Sequence, residues 1–170
     1  MRANRLGLRW LGFLLAVLLQ SSVFAAELEG QVVGVLDGDT IDVLTTTKTQ
    51  VRVRLAGIDA PEKRQAFGNV AKKELSDLVF GKQVTVEWRK KDRYGRTVGK
   101  VIVDGVDANL KMVEAGLAWH YKQYAKEQSP EDRALYAAAE KNAQERRIGL
   151  WGDLKPMPPW EFRKGPKRAA

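Results

Sequence analysis

Val51-Arg52-Val53-Arg54-Leu55-Ala56-Gly57-Ile58-Asp59-Ala60-Pro61-Glu62 is the stretch on which the fold of this chain turns. Val51, Val53 and Leu55 alternate with Arg52 and Arg54. Successive side chains of a strand point to opposite faces, so this run is a strand with its apolar face in a core and its arginines elsewhere. Ala56-Gly57 ends the run. Pro61 confines Ala60 to extended geometry and stiffens the loop that carries Asp59 and Glu62.

The segments around it read in the same way. Residues 31–36 are rich in valine and predict a strand, closed by the turn signal Asp37-Gly38. Residues 40–46 predict a second strand, with Ile41 and Val43 on one face. After the Pro61 loop the period changes: Phe67, Val70, Ala71, Leu75, Leu78 and Val79 follow helical spacing, and Gly81 is the stop. Val84, Val86 and Trp88 alternate with polar residues as a fourth strand, Arg93-Tyr94-Gly95 turns the chain, and residues 98–103 form a fifth. A short helix starts at Asp107, with Leu110 and Val113 as its apolar marks. Ser129-Pro130 opens a third helix as cap and first-turn proline, with Leu135, Ala138, Ala139 and Ala143 as its expected buried stripe. From Lys155 the chain is expected to be irregular, with Trp160 and Phe162 packing back. Five short strands with a helix between the third and fourth predict an α+β fold with a mainly β core. The expected architecture is a five-stranded OB-fold barrel with three packed helices.

The ends lie outside that domain. Arg2, Arg5 and Arg9 precede an apolar run from Leu11 to Leu19, and Val23-Phe24-Ala25 offers small residues at cleavage spacing. Residues 1–25 therefore read as a signal peptide cut near Ala25, which makes the protein exported, periplasmic or secreted. The domain is expected over 26–165, followed by a basic tail at 166–170. Removing three of the 29 basic residues with the signal leaves 26 against 21 acidic ones, a surplus of +5 that favours an anionic partner. The chain has no cysteine, which excludes disulfides and thiolate metal sites. With His120 the one histidine, a histidine-rich zinc site is excluded as well, and His120 is expected at the surface.

The charged residues fall in three segments: Asp39 in Asp37-Gly38-Asp39-Thr40; Arg54, Asp59 and Glu62 in the opening stretch; and Arg96 in Asp92-Arg93-Tyr94-Gly95-Arg96. These residue types suit phosphodiester cleavage. Carboxylate oxygens hold a hard divalent cation, guanidinium forks grip phosphate oxygens in pairs, and a further carboxylate can steer or deprotonate water. Arg52 and Arg54 share a strand face, and period alone does not choose between them. The run from Arg89 to Arg96 carries five basic residues around Tyr94, a composition suited to single-stranded nucleic acid.

At these blocks, and at Gly116-Leu117-Ala118-Trp119, Gly149-Leu150-Trp151 and Pro159-Trp160-Glu161-Phe162-Arg163, the chain resembles the staphylococcal nuclease (thermonuclease) family from about Val32 to about Arg163. The resemblance implies an OB-fold and a calcium-dependent endonuclease. It implies cleavage of DNA and RNA with little sequence preference, leaving 3′-phosphate ends, by a mostly monomeric protein. It assigns metal binding to Asp39, Asp59 and the backbone carbonyl of Ala60, where the family archetype carries threonine. It assigns catalysis to Arg54, Glu62 and Arg96, selecting Arg54 over Arg52. It places Arg93, Tyr94 and Tyr121 at substrate contacts, Tyr121 across a one-residue gap for which Tyr124 competes. Trp119, Trp151 and Trp160 are expected to be core or docking residues. The alternative is a non-catalytic OB-fold module that only binds nucleic acid. A third possibility is an exported OB-fold that takes sugars or a protein.

Overall fold

The computed structural model describes residues 26–165; the expected signal peptide and basic tail lie outside the described residues. Strands β1 (Ala26–Val35), β2 (Thr40–Thr45) and β3 (Gln50–Leu55) form an antiparallel meander. The two-residue β4 (Ile58–Asp59) follows, and helix α1 (Gly68–Val79) leads to β5 (Gln83–Lys91) and β6 (Thr97–Val103). Strand β7 (Val106–Asp107) runs into α2 (Ala108–Glu114); β8 (Trp119–His120), α3 (Pro130–Glu145) and a single helical turn, α4 (Pro159–Phe162), complete the chain.

Strand order in the main sheet is β3-β2-β1-β5-β6-β7, and a parallel pairing of β3 with β6 closes the five long strands into a barrel. The barrel and the three expected helices are thus present. Inside the barrel lie Val32, Ile41, Val43, Val53, Leu55, Val86 and Val101, each no more than 1% exposed. Closure is braced from α2. Asn109 accepts a hydrogen bond from the Val101 N–H at 3.1 Å and donates to the carbonyls of Ala56 and Gly99 at 3.0 and 3.2 Å. Bulges at Val32–Gly34 in β1 and Trp88–Lys90 in β5 supply the bending that closure demands.

Several expectations about individual residues are corrected. Strand β1 begins at Ala26, five residues earlier than its valines suggest, because Ala26–Gln31 is held by its ladder to β5. Val70 is exposed on α1, whereas Ala71, Leu75 and Val79 are fully buried. On α3, Leu135 and Ala138 face out, and the buried stripe is Tyr136, Glu140 and Ala143 with Ala139 beside it. That face is fixed by polar partners. Tyr136 donates to Asp107 at 2.7 Å, and Glu140 accepts from the His120 N–H at 3.1 Å and pairs with Lys122. Ser129 caps α3 as expected, accepting from the Asp132 N–H at 3.0 Å. The tail forms a helical turn, α4, where irregular chain is expected. Trp160 packs on the edge of Trp119 and Trp151 on Trp119, a cluster of docking aromatics.

Candidate active site

The turn before β2 is built by its own side chains. Asp37 Oδ1 accepts from the Asp39 N–H at 3.0 Å, an Asx turn that sets Asp39 at the mouth of the barrel. Gly38 allows α1 and the Ala60 loop to converge there: a Cβ on it would lie 2.7 Å from the Ala71 Cβ and 2.8 Å from the Ala60 Cβ. Asp39 Oδ2 in turn accepts from the Ala60 N–H at 2.8 Å, tying the two loops together. Asp59 stands on β4 opposite Trp119 of β8 and is 1% exposed.

Arg54 joins these carboxylates. Its Nη2 lies 3.1 Å from Asp39 Oδ2 and 2.9 Å from Asp59 Oδ1, and its Nη1 donates to the carbonyls of Leu55 and Ile58, both at 2.9 Å. Three of its Nη N–H groups thus donate hydrogen bonds, the Asp39 contact is an ion pair, and the Nε–H has no partner among the described residues. Arg96 is held differently. Its Nε and backbone N–H donate to the two oxygens of Asp92, at 2.7 and 3.0 Å. Its Nη groups have no partner among the described residues and form a free fork. Arg52, on the same face of β3 as Arg54, pairs with Asp42 at 2.8 Å, half-exposed.

Glu62 follows Pro61, and its N–H donates to Gln65 Oε1 at 3.1 Å. Arg93 and Tyr94 are exposed and bonded to each other at 2.7 Å, and the guanidinium of Arg96 lies 5.6 Å from the Tyr94 ring. Tyr121 stacks on Trp160 at 5.3 Å and 6° between planes; its competitor Tyr124 lies beside it under Lys90. A cleft of about 660 Å³ takes its lining from Asp39, Arg54, Asp59, Ala60, Glu62, Arg93, Tyr94, Arg96 and Tyr121, and Tyr124 reaches it too. The nine residues singled out in the sequence are therefore brought together from the turn before β2, β3, β4 and the loop after it, the β5–β6 turn and the segment after β8.

Three further residues of the cleft escaped the sequence reading. Asp37 was visible as a turn residue, and Asp92 as a member of its block. Arg163 was visible as the last residue of the Pro159–Arg163 block, without a role. It reaches Asp59 Oδ2 and Glu62 Oε1, each at 2.7 Å. His120, in contrast, is buried. Its Nε2 contacts Gln128 Oε1 at 2.8 Å, and it takes no part in lining the cleft. The β4–β8 ladder draws it inward, opposite Ile58.

The electrostatics follow from burial. Desolvation, with Asp39 adjacent, pushes the Asp37 carboxyl up to about 6. Desolvation also raises Asp59, against the downward pull of Arg163 and Arg54. For Asp92 burial acts upward too, but the Arg96 side chain and the N–H groups of Arg96 and Tyr94 outweigh it and hold the carboxyl below its ordinary range. Hydrogen bonds to Asp59 and Glu62 raise Arg163 further. Among the described residues no group of three or more Asp, Glu, His or Cys side chains is arranged to hold a metal ion. The donor set is the pair Asp39 and Asp59. Carboxylate oxygens suit a hard dication; here Arg54 spans the two carboxylates and Arg163 takes both oxygens of Asp59, so positive charge already sits where such an ion would bind.

The topology is that of an OB-fold barrel, with paired carboxylates and a free arginine fork at its mouth. A match to the family described as staphylococcal nuclease homologue spans residues 52–153, which includes Arg54, Asp59, Glu62 and Arg96. The chain is 45% identical over 164 residues to a micrococcal nuclease of Shigella flexneri, covering 91% of each. It is 46% identical over 137 residues to an uncharacterized endonuclease of Haemophilus influenzae, covering 81% of this chain and 74% of that one. It is 42% identical over 113 residues to a staphylococcal-like nuclease of Arabidopsis thaliana, covering 66% and 33%. The chain belongs to the staphylococcal nuclease family and is a nuclease.

Proposed function

We propose that this protein is an exported, calcium-dependent endonuclease that hydrolyses DNA and RNA with little sequence preference and leaves 3′-phosphate ends. The observation that carries the reading is the meeting, in one cleft, of the Asp39–Asp59 pair, the Glu62 carboxylate and the free fork of Arg96. Asp39, Asp59 and the carbonyl of Ala60 would hold a calcium ion, which would supply positive charge to neutralise the phosphate and orient water. Glu62 takes a proton from the attacking water as the water oxygen bonds to phosphorus. The bond from phosphorus to the 5′ oxygen then breaks, and the leaving oxygen takes a proton from solvent. Charge builds on the non-bridging oxygens. Arg96 meets it with its Nη pair and Arg54 with its Nε–H, groups whose value is greatest in the transition state.

Arg93 and Tyr94 flank the cleft as phosphate and base contacts, and the Tyr121–Trp160 stack offers an aromatic surface. The signal-like residues 1–25 support export with cleavage near Ala25. No helix among the described residues is long and apolar enough to cross a membrane. The mature protein is proposed to be a monomer without stable membrane association. The test is to incubate mature protein with labelled single-stranded DNA and RNA, first with calcium and then with chelator. Calcium-dependent shortening to 3′-phosphate ends supports the reading. A gel shift without shortening supports the non-catalytic binding module, and no interaction supports a sugar- or protein-binding OB-fold.

A further inference from the structure

Glu62 is gripped from both ends by the C-terminal segment. Its carboxylate Oε1 accepts from Arg163 Nη1 at 2.7 Å. The same guanidinium forks onto Asp59, with Nη2 to Oδ2 at 2.7 Å and Nη1 to Oδ1 at 3.2 Å. The backbone N–H of Glu62 donates to Gln65 Oε1 at 3.1 Å, and Gln65 Nε2 donates to the carbonyl of Met157 at 2.5 Å. One short stretch, Met157 to Arg163, therefore fixes both the main chain and the carboxylate of Glu62.

We propose that Arg163 is a positioning residue of the nuclease, aiming the Glu62 carboxylate at the water it activates. The inference rests on the nuclease reading above. Two carboxylates at one site repel each other unless a positive group intervenes, and Arg163 is placed between Asp59 and Glu62. The bond to Oε1 leaves Oε2 of Glu62 without a partner among the described residues, free to take a proton. An ordinary surface ion pair holds geometry poorly. This one is different because Asp59, its anchor, is 1% exposed and takes both arms of the fork. The helical turn that presents Arg163 is itself fixed. Pro159 sits at its start, and Trp160 is stacked on Tyr121 and edge-on to Trp119. Trp119 is the ladder partner of Asp59, so the helix and the carboxylate share one support. Arg163 lies ten residues past the 52–153 match to the family.

The experiment compares wild type, Glu62→Gln, Arg163→Gln, Arg163→Lys and the Glu62→Gln/Arg163→Gln double variant on a single-stranded oligonucleotide at saturating calcium. It also titrates calcium into wild type and Arg163→Gln by calorimetry. Arg163→Gln is expected to lower kcat about 10- to 100-fold with KM within about threefold, the signature of a lost transition-state interaction. Arg163→Lys recovers part of the loss, because a single ammonium keeps the charge but not the fork. In the Glu62→Gln background the Arg163 substitution has no further effect, since Arg163 acts through Glu62. Calcium binds Arg163→Gln at least as tightly as wild type, because a competing positive charge beside Asp59 is gone. A kcat within twofold of wild type overturns the inference, as does a higher kcat, which would make Arg163 a blocking latch. So does a rise in KM alone, which would make it a phosphate contact, or a further loss in the Glu62→Gln background. A wild type that fails to cut brings down the nuclease reading and this inference together. A cutting wild type with an unaffected Arg163→Gln brings down this inference alone.

Discussion

Gly68, the first residue of α1, lies so close to Glu62 that a Cβ on it would stand 2.0 Å from the Glu62 carbonyl oxygen and 2.8 Å from its carbon. The helix start and the loop bearing the carboxylate are thus in backbone contact, and the Gln65 N–H bond to the Glu62 carbonyl at 2.8 Å closes the same turn. Gly68→Ala has no flexible neighbour to push aside, so the loop itself must move. We expect a loss of about 1–3 kcal/mol in stability, in the range of overpacked cores, measured by urea unfolding. A fall in kcat is expected under conditions where the variant remains fully folded. An unchanged kcat in folded Gly68→Ala would show that the aim of Glu62 does not depend on this contact.

Arg96 is partly exposed and braced by Asp92 and the Tyr94 ring, both outside the core, so its removal leaves the barrel intact. Arg96→Ala is expected to keep its melting temperature within a few degrees and to lose about a hundred- to a thousandfold in kcat, by analogy with other donors aimed at developing oxyanions. Arg96→Lys recovers little, lacking the planar fork. Near wild-type turnover in Arg96→Ala at saturating calcium would remove Arg96 from the mechanism. Glu62→Ala is expected to behave in the same way.

Asp37 makes stability depend on pH with a definite sign. Its folded carboxyl titrates at about 6, above the ordinary carboxylate value of about 4. The folded state therefore binds this proton more tightly than the unfolded chain does. Its contribution to stability is complete below pH 4, falls as pH rises through the window from 4 to 6, and is constant above it. Asp37→Asn removes this dependence while keeping an oxygen for the Asp39 N–H. In chelator, the melting temperature of Asp37→Asn relative to wild type should rise between pH 4 and 6.5 and then level off. A difference that does not change with pH would place the Asp37 titration elsewhere.

Binding to single-stranded DNA should weaken linearly on a logarithmic salt scale, because each phosphate contact releases counterions. Using Glu62→Gln with calcium to avoid cleavage, Arg93→Ala should lower the magnitude of the slope by roughly one contact's worth. A slope unchanged by Arg93→Ala would mean that Arg93 serves only to hold Tyr94.

Much of this was legible in the sequence where one face of an element is uniformly apolar. The Val51–Leu55 alternation put Val53 and Leu55 inside the barrel and Arg54 outside. The residues of the cleft stood out because their chemistry is unusual for turns. The failures have a common physical cause: long-range polar contacts. The buried stripe of α3 departs from the apolar spacing because its anchors are Tyr136 and Glu140, which a count of apolar residues passes over in favour of Leu135. His120 was misplaced because the two-residue ladder that buries it has no local pattern. Arg163 received no role because its partners lie 104 and 101 positions away, and spacing along the chain carries no trace of such a meeting.

The parallel seam between β3 and β6 sets Arg54 opposite Val98, two residues past Arg96. Both arginines therefore owe their spacing to the pairing that shuts the barrel, a junction of segments distant in sequence. Without that seam the two guanidiniums belong to separate hairpins, so the site is a property of the closed barrel and of no single segment.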